Sequence, residues 1–293
     1  MNIPAATLLS RRAPKSTVLL HGMLMSPVVW TYTGLVSQIG GHVVAYALPA
    51  HPTWELDAGE LRPILDVKSL VDVYARAIER DFHELPVDIV GHSTGGFLAL
   101  MIAAHRPELV RRVVVISGFA DGAMDTLQPF SMRLTCLPFV GSLAFRAGIS
   151  MGTASRGLFV RASIRSANAK GRDLHQSHIW DAFDQVRRGL ARCDLQALAL
   201  FVRWLSSASA DLSRVTAPVL IIMGSHDPVV PVSHQLGLAR QLRLCQSLLL
   251  GEVGHLPMME AEQSTGRAVC AWLGASRRKE TVNAHTAAPP VFG

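Results

Sequence analysis

The 293-residue chain lacks any uninterrupted apolar run of the ~18–20 residues a bilayer-spanning helix requires, so no membrane span is expected. Cysteine is scarce. Cys136, Cys193, Cys245 and Cys270 stand far apart, without the spacing of a metal site, and the expectation is reduced thiols in a cytoplasmic protein. Twelve histidines include no H-x-x-x-H or similar cluster, so no metal and no cofactor are expected. No basic patch interleaved with aromatics is present, which argues against nucleic acid as a partner. Only 17% of residues are charged and 49% are hydrophobic, which fits a globular chain long enough for one large core. Glutamate is missing between Ala120 and Leu205, where eleven Lys/Arg stand against six Asp. Much of the net charge of +6 therefore sits in one segment. Two accounts fit it: solvated arginine faces on helices, or an electrostatic bias toward an anionic small-molecule substrate or acyl carrier. Oligomeric state is left open.

What the chain does have is alternation. Thr17 to Leu20, His42 to Leu48, Val87 to Val90, Arg112 to Ser117, Val219 to Met223 and Gln246 to Leu250 are short runs rich in Val, Ile and Leu, the pattern of strands covered on both faces. Helical patterns lie between them, at Val28 to Ile39, Val67 to Phe82, Gly95 to His105, His234 to Leu242 and Glu262 to Leu273. The expected fold class is α/β: a mostly parallel central sheet with helices on both faces. Ala5 to Ser10 reads as an antiparallel leading strand, joined to Thr17–Leu20 by a turn that contains Arg11 and Arg12. Ser10-Arg11-Arg12 has some likeness to a twin-arginine export signal, but the residues that follow are needed as a core strand.

Alternation stops between Phe119 and about Leu212. That stretch has helical patterns at Met132 to Leu134, Gly157 to Ala167, Ile179 to Arg192 and Leu195 to Ser207, and no strand. An all-helical insert left and re-entered from the sheet reads as a cap over the strands' C-terminal edge, where open α/β sheets bind ligands. The expected division is core 1–118, cap 119–212, core 213–274 and a disordered tail 275–293. No internal repeat is found.

Gly91-His92-Ser93-Thr94-Gly95 directly follows the run Val87–Val90 and opens a helical pattern, the sequence form of a nucleophile elbow. A serine hydroxyl needs a base, and the base an orienting acid. Asp227, in Gly224-Ser225-His226-Asp227-Pro228, follows one strand; His255, in Gly254-His255-Leu256-Pro257, follows the next, 28 residues later. Each alone reads equally well as a turn or a loop. Together, in order and each at a strand end, they make a candidate set of Ser93, Asp227 and His255. Thr94 and Met23 are the candidate backbone donors for an oxyanion. Leu24, Met25 and His92 are the candidate substrate-contacting residues, against the alternative of ordinary packing. His21 reads as an anchor of its loop, and Asp121 as a second candidate acid.

On His21-Gly22-Met23, Gly91-His92-Ser93-Thr94-Gly95-Gly96, the Gly224–Pro231 motif and Gly254-His255, the chain resembles the α/β-hydrolase fold family, in its capped, esterase-like branch. The resemblance spans residues 17 to 273. It implies Ser93 as nucleophile, His255 as general base, Asp227 as its orienting acid, a Met23/Thr94 oxyanion hole and a covalent acyl-enzyme. The cap would be inserted after the strand Arg112–Ser117, strand β6 in the family's count. Its serine sets the chain apart from relatives that use an aspartate at the elbow. There is one departure near the site: where relatives usually carry an Asp-x-Pro-Gly-x-Gly-like turn, this chain has Ala47-Leu48-Pro49-Ala50-His51-Pro52, without the aspartate or the glycines. The family's first strand is also expected to be absent or vestigial.

The expected activity is hydrolysis of a carboxylic ester of a small or medium-sized, partly apolar substrate. Phe130, Leu134, Phe139, Phe145 and Trp204 would continue an apolar pocket wall, or else pack helix faces on the core. The alternatives are a C–C bond (diketone) hydrolase, a thioesterase or an acyltransferase with the same triad, and a non-catalytic ligand-binding member of the fold.

Overall fold

Short runs of branched apolar residues cover both faces of a sheet best when helices flank it, and the chain folds that way. A computed structural model describes residues 2–11, 15–122, 140–167 and 177–274. Its seven strands are β1 (Thr7–Arg11), β2 (Ser16–Leu20), β3 (His42–Tyr46), β4 (Val87–His92), β5 (Val110–Ile116), β6 (Val219–Gly224) and β7 (Cys245–Leu250). They form one sheet in the order β1-β3-β2-β4-β5-β6-β7. All neighbours are parallel except β1 and β3. Every residue of β2, β4 and β6 is buried, whereas the edge strand β7 is only partly covered.

The leading strand pairs differently from expectation. β1 lies against β3, Thr7 opposite Ala45 and Arg11 opposite His42, and not against β2. Both edges of β2 are taken by β3 and β4, and β1 pairs with the outer edge of β3. Arg12 lies outside the described residues.

The core helices that cross between strands are α1 (Leu35–Ile39), α2 (Ala58–Leu61), α3 (Val67–Asp81), α4 (Thr94–His105) and α9 (Val232–Gln241), and α10 (Pro257–Glu260) and α11 (Glu262–Gly274) follow the last strand. α3 buries a stripe from Leu70 to Ile78 and is capped by Asp66, whose carboxylate accepts from Ser69 N–H at 2.9 Å. α4 has no polar face, and its residues 94–104 are all buried. The expected helix Val28–Ile39 is broken into a 3₁₀ turn, Pro27–Tyr32, and the short α1. The hydroxyls of Thr31 and Thr33 donate to the carbonyls of Val28 and Trp30 and compete with the helix ladder there.

Between β5 and β6 the described residues form α5 (Val140–Ala154), α6 (Arg156–Ile164), α7 (Ser177–Leu190) and α8 (Leu195–Leu205), with no strand. The last three match the expected helices. α5 was not anticipated: it exposes Val140, Leu143 and Met151, so no buried stripe marks it in the sequence. The expected Met132–Leu134 helix, Phe130, Phe139, Cys136 and the segment 275–293 lie outside the described residues. α8 is tied to the core through Asp194, which caps its first turn and also accepts from Ala58 N–H at 3.2 Å. Several basic residues of this insert are paired: Arg156 with Asp181, and Arg187 and Arg188 with the buried Asp184. Among the described residues, no helix is long and apolar enough to cross a membrane, and no cluster of His, Cys, Asp or Glu is placed to hold a metal ion. Cys193, Cys245 and Cys270 are free thiols, and burial pushes the first two up to about 12.

Candidate active site

Parallel strands bring their C-terminal ends to one rim, and the candidate residues gather there. β4 ends at His92, and Ser93 follows with φ 52 and ψ −117, in a region a side chain rarely visits. Two glycines make this bend possible. A Cβ on Gly91 would lie 2.3 Å from the Gly95 carbonyl oxygen, and one on Gly95 would lie 2.3 Å from that of Leu20. Ser93 N–H donates to Ile116 O at 2.8 Å, which fastens the bend to β5, and α4 begins at Thr94.

Asp227 leaves the end of β6 and is held from three sides. Its Oδ1 accepts from Val229 and Val230 N–H at 2.8 and 2.9 Å, and its Oδ2 accepts from Gln235 Nε2 at 3.3 Å. His255 Nδ1 lies 2.9 and 3.0 Å from the two carboxylate oxygens. That bond places the proton on Nδ1 and leaves Nε2 as an acceptor. The carboxylate side chain is fully buried and the imidazole nearly so, which strengthens the pair.

The loop that carries His255 is held by its main chain. His255 N–H donates to Ser166 O at 2.8 Å, and His92 Nε2 donates to His255 O at 2.8 Å. On either side, Gly254 N–H and Leu256 N–H both donate to the buried carboxylate of Glu260, each at 2.8 Å. Glu260, Gln235 and Ser166 were not anticipated. Glu260 is the one with a trace in the sequence, as a carboxylate five residues after a Gly-His at a strand end.

Ser93, His92 and His255 line a cavity of about 290 Å³ together with Met23, Leu24, Met25 and Val229 from the core. Its other wall comes from the insert: Gly148, Ile149 and Gly152 of α5, Phe159, Ala162, Ser163 and Ser166 of α6 and its C-terminal turn, and Phe183 of α7. The hydroxyls of Ser163 and Ser166 are spent on the carbonyls of Phe159 and Ser163, so this wall is apolar in effect. Phe145 and Trp204 do not line it; both pack against the core. Two larger open clefts, of about 710 and 510 Å³, lie beside β1 and contain neither Ser93 nor His255.

Met23 and Leu24 belong to a turn closed by Met25 N–H donating to Gly22 O at 3.2 Å. The N–H groups of Met23 and Thr94 have no hydrogen-bond partner among the described residues. The bare backbone of Gly22 makes room for His92: a Cβ there would lie 2.7 Å from His92 Nδ1. His21 anchors the loop as expected, its Nδ1 bonding Gly22 O and its Nε2 accepting from Leu48 N–H. Asp121 is exposed and sits in a bridge with Ser209, while His255 bonds to Asp227.

Three further imidazoles are buried in this region: His92, whose ring lies 4.9 Å from that of His255, and the neighbouring pair His21 and His51. Burial, then the positive charge His255 carries when protonated, lowers His92 to about 3; burial lowers His51 to about 4 and holds His21 well below the usual histidine range. All three are neutral at physiological pH and serve as hydrogen-bonding struts.

A family model described as the alpha/beta hydrolase family matches residues 17–267. The chain is 28% identical over 221 residues to a pimeloyl-[acyl-carrier protein] methyl ester esterase of Neisseria meningitidis serogroup B, covering 74% of this chain and 76% of that one. Among solved structures, an esterase from Thermogutta terrifontis superposes with a TM-score of 0.68 at 14% identity, covering 92% of this chain and 93% of the other. A meta-cleavage product hydrolase from Pseudomonas fluorescens does so with a TM-score of 0.70 at 18% identity, covering 92% and 94%.

Proposed function

Because the chain belongs to the alpha/beta hydrolase family and is a hydrolase by that membership, we propose that it cleaves carboxylic esters through Ser93, His255 and Asp227. The observation that carries this is a buried Asp227–His255 pair, 2.9 Å apart, whose imidazole opens on the same cavity as a serine at a strained strand-to-helix bend. Ser93 Oγ attacks the ester carbonyl carbon while His255 Nε2 takes its proton. The C–O bond to the leaving alcohol breaks as that proton passes to the alkoxide. Water then repeats the sequence on the acyl-enzyme, and Ser93 recovers its proton. The charge on the carbonyl oxygen is met by Met23 and Thr94 N–H, the second at the positive end of α4.

The insert, residues 119–212 in the division above, serves as the cap that shapes the substrate. A cavity of about 290 Å³ is some ten times the ~30 Å³ a water molecule occupies, which favours a short acyl or alcohol group. A second reading is favoured by Arg161 and Arg165, exposed neighbours of the cavity residues Ala162, Ser163 and Ser166. In it the ester is presented on an anionic carrier, as the name of the Neisseria relative says of that protein. A fall in kcat/KM for such a substrate as salt rises, absent for a neutral ester, distinguishes the two.

The test is a fluorophosphonate probe with parallel rates on p-nitrophenyl esters, acyl-CoA thioesters and a vinylogous diketo-acid. Wild type should be labelled and Ser93→Ala should not. Absence of labelling in wild type would overturn the hydrolytic mechanism; a preference for the thioester or the diketo-acid would overturn the choice of bond.

A further inference from the structure

The turn that carries Met23 is held in an unusual shape by a residue from elsewhere in the chain. Leu24 has φ 57, at the third position of the Gly22–Met25 turn. Turns with φ > 0 there usually take Gly or Asn, because a β-carbon is disfavoured. Nothing in Leu24 itself favours this conformation, so its surroundings must impose it.

His51 imposes it. Leu24 N–H donates to His51 Nε2 at 3.0 Å, 27 residues away in sequence. The imidazole is prepared for this: its Nδ1 bonds Pro49 O at 2.9 Å, which puts the proton on Nδ1 and leaves Nε2 as an acceptor. The ring is fully buried. It meets Phe201 of α8 edge-on, with centroids 5.8 Å apart and planes at 82°, and lies 5.5 Å from the ring of His21. Burial also keeps it neutral, so the acceptor survives at working pH. Core, insert and turn therefore meet at one side chain, in the Pro49–Pro52 segment that departs from the family pattern.

We propose that His51 is a positioning residue for ester hydrolysis: it fixes the Met23–Leu24 peptide and so keeps the adjoining Met23 N–H aimed at the reacting carbonyl oxygen. The proposal rests on the assignment of Met23 to the oxyanion hole. His51 touches no reacting atom; it acts through the turn. Its bond matters most when the oxyanion forms, since a donor in place beforehand costs no reorganisation then. Loss of the acceptor should therefore lower kcat and leave KM nearly unchanged.

The experiment compares His51→Phe, which keeps a ring against Phe201 but has no acceptor, with His51→Gln, whose amide oxygen can accept from Leu24 N–H. Rates are measured on a p-nitrophenyl ester, with thermal melting as the control for folding. For His51→Phe we expect kcat to fall about 10- to 100-fold, with KM within about threefold, somewhat less than the loss of a whole oxyanion donor. His51→Gln should recover at least half of that loss on a logarithmic scale. Equal kcat in wild type and His51→Phe, or an equal fall in both variants, would overturn the proposal. If His51→Phe does not fold, wild type decides by imidazole ¹⁵N shifts. The proposal requires an Nδ1–H tautomer whose Nε2 signal moves when Ser93 carries a phosphonate adduct, and an unmoved signal overturns it. Failure of the hydrolytic reading looks different, since wild type itself would then neither turn over nor take the probe.

Discussion

The two walls of the cavity are built by different means. On the core side, Ser93, Asp227 and His255 sit at strand ends, and each is fixed by main-chain hydrogen bonds at 2.8–3.0 Å or by close backbone approach. On the insert side the wall is made of helix faces, two glycines among them, with no hydrogen bond offered to a ligand from Ser163 or Ser166. Geometry that must hold to a fraction of an ångström is carried by the sheet, and volume is carried by the helices.

The largest effect should come from the core side. Asp227→Asn should lower kcat about 10⁴-fold with the fold intact, and Asp121→Asn should leave it near wild type. The reverse result, read from steady-state rates on one ester, would move the acid to Asp121. Next is Glu260→Ala, which leaves Gly254 and Leu256 N–H without their buried acceptor. A loss of about 3 kcal/mol in urea unfolding is expected, together with a slower kcat, because the His255 loop is no longer held.

On the insert side, Gly148 and Gly152 each face open space, with nothing within 4 Å of a Cβ placed on them. Gly148→Val or Gly152→Val should cut kcat/KM for the longer of two p-nitrophenyl esters about 10- to 100-fold and leave the acetate ester within about threefold. An equal loss on both esters would mean that this wall does more than set volume.

A smaller effect follows from the neutral histidines. His51 and His92 are held near 4 and 3 in the folded protein, and free histidine titrates near 6.5. Below pH 6.5 the unfolded chain binds protons that the folded one refuses, so stability is full above that pH and falls as the solution becomes more acid. The slope should approach about 1.4 kcal/mol per pH unit for each histidine, until the folded value is reached. Urea unfolding at pH 7, 6 and 5 measures it, and His51→Phe should remove about one proton from the slope. The smallest effect belongs to the exposed pair Arg156–Asp181: Asp181→Asn should change stability by less than about 1 kcal/mol in the same assay.

Sequence pattern carried far where a residue's role is set by its neighbours in the chain. The Val/Ile/Leu runs located six of the seven strands, and a Gly-x-Ser-x-Gly after one of them located the bend, since both depend on local sterics. It carried less far where partners are distant. β1 was recognisable as a strand, but its pairing with β3 and not β2 was not. The helix expected at Val28–Ile39 broke because two threonine hydroxyls bind the backbone, which hydrophobic spacing does not register. α5 presents apolar residues to solvent, so no periodicity revealed it. His51 appeared only as one residue of a turn that lacks the family's aspartate and glycines; that it reaches Leu24 is a matter of tertiary structure.

The 2.8 Å bond from His255 N–H to Ser166 O links the two walls. The general base in our proposal is thereby moored to the segment that forms the other wall of the cavity. An insert transplanted from a relative would have to present a carbonyl at that point, or the graft would loosen the imidazole while seeming only to alter pocket size. A rearrangement of the insert that broke this bond would likewise leave the His255 loop with one fewer anchor, so that the shape of the cavity and the hold on the imidazole are set together.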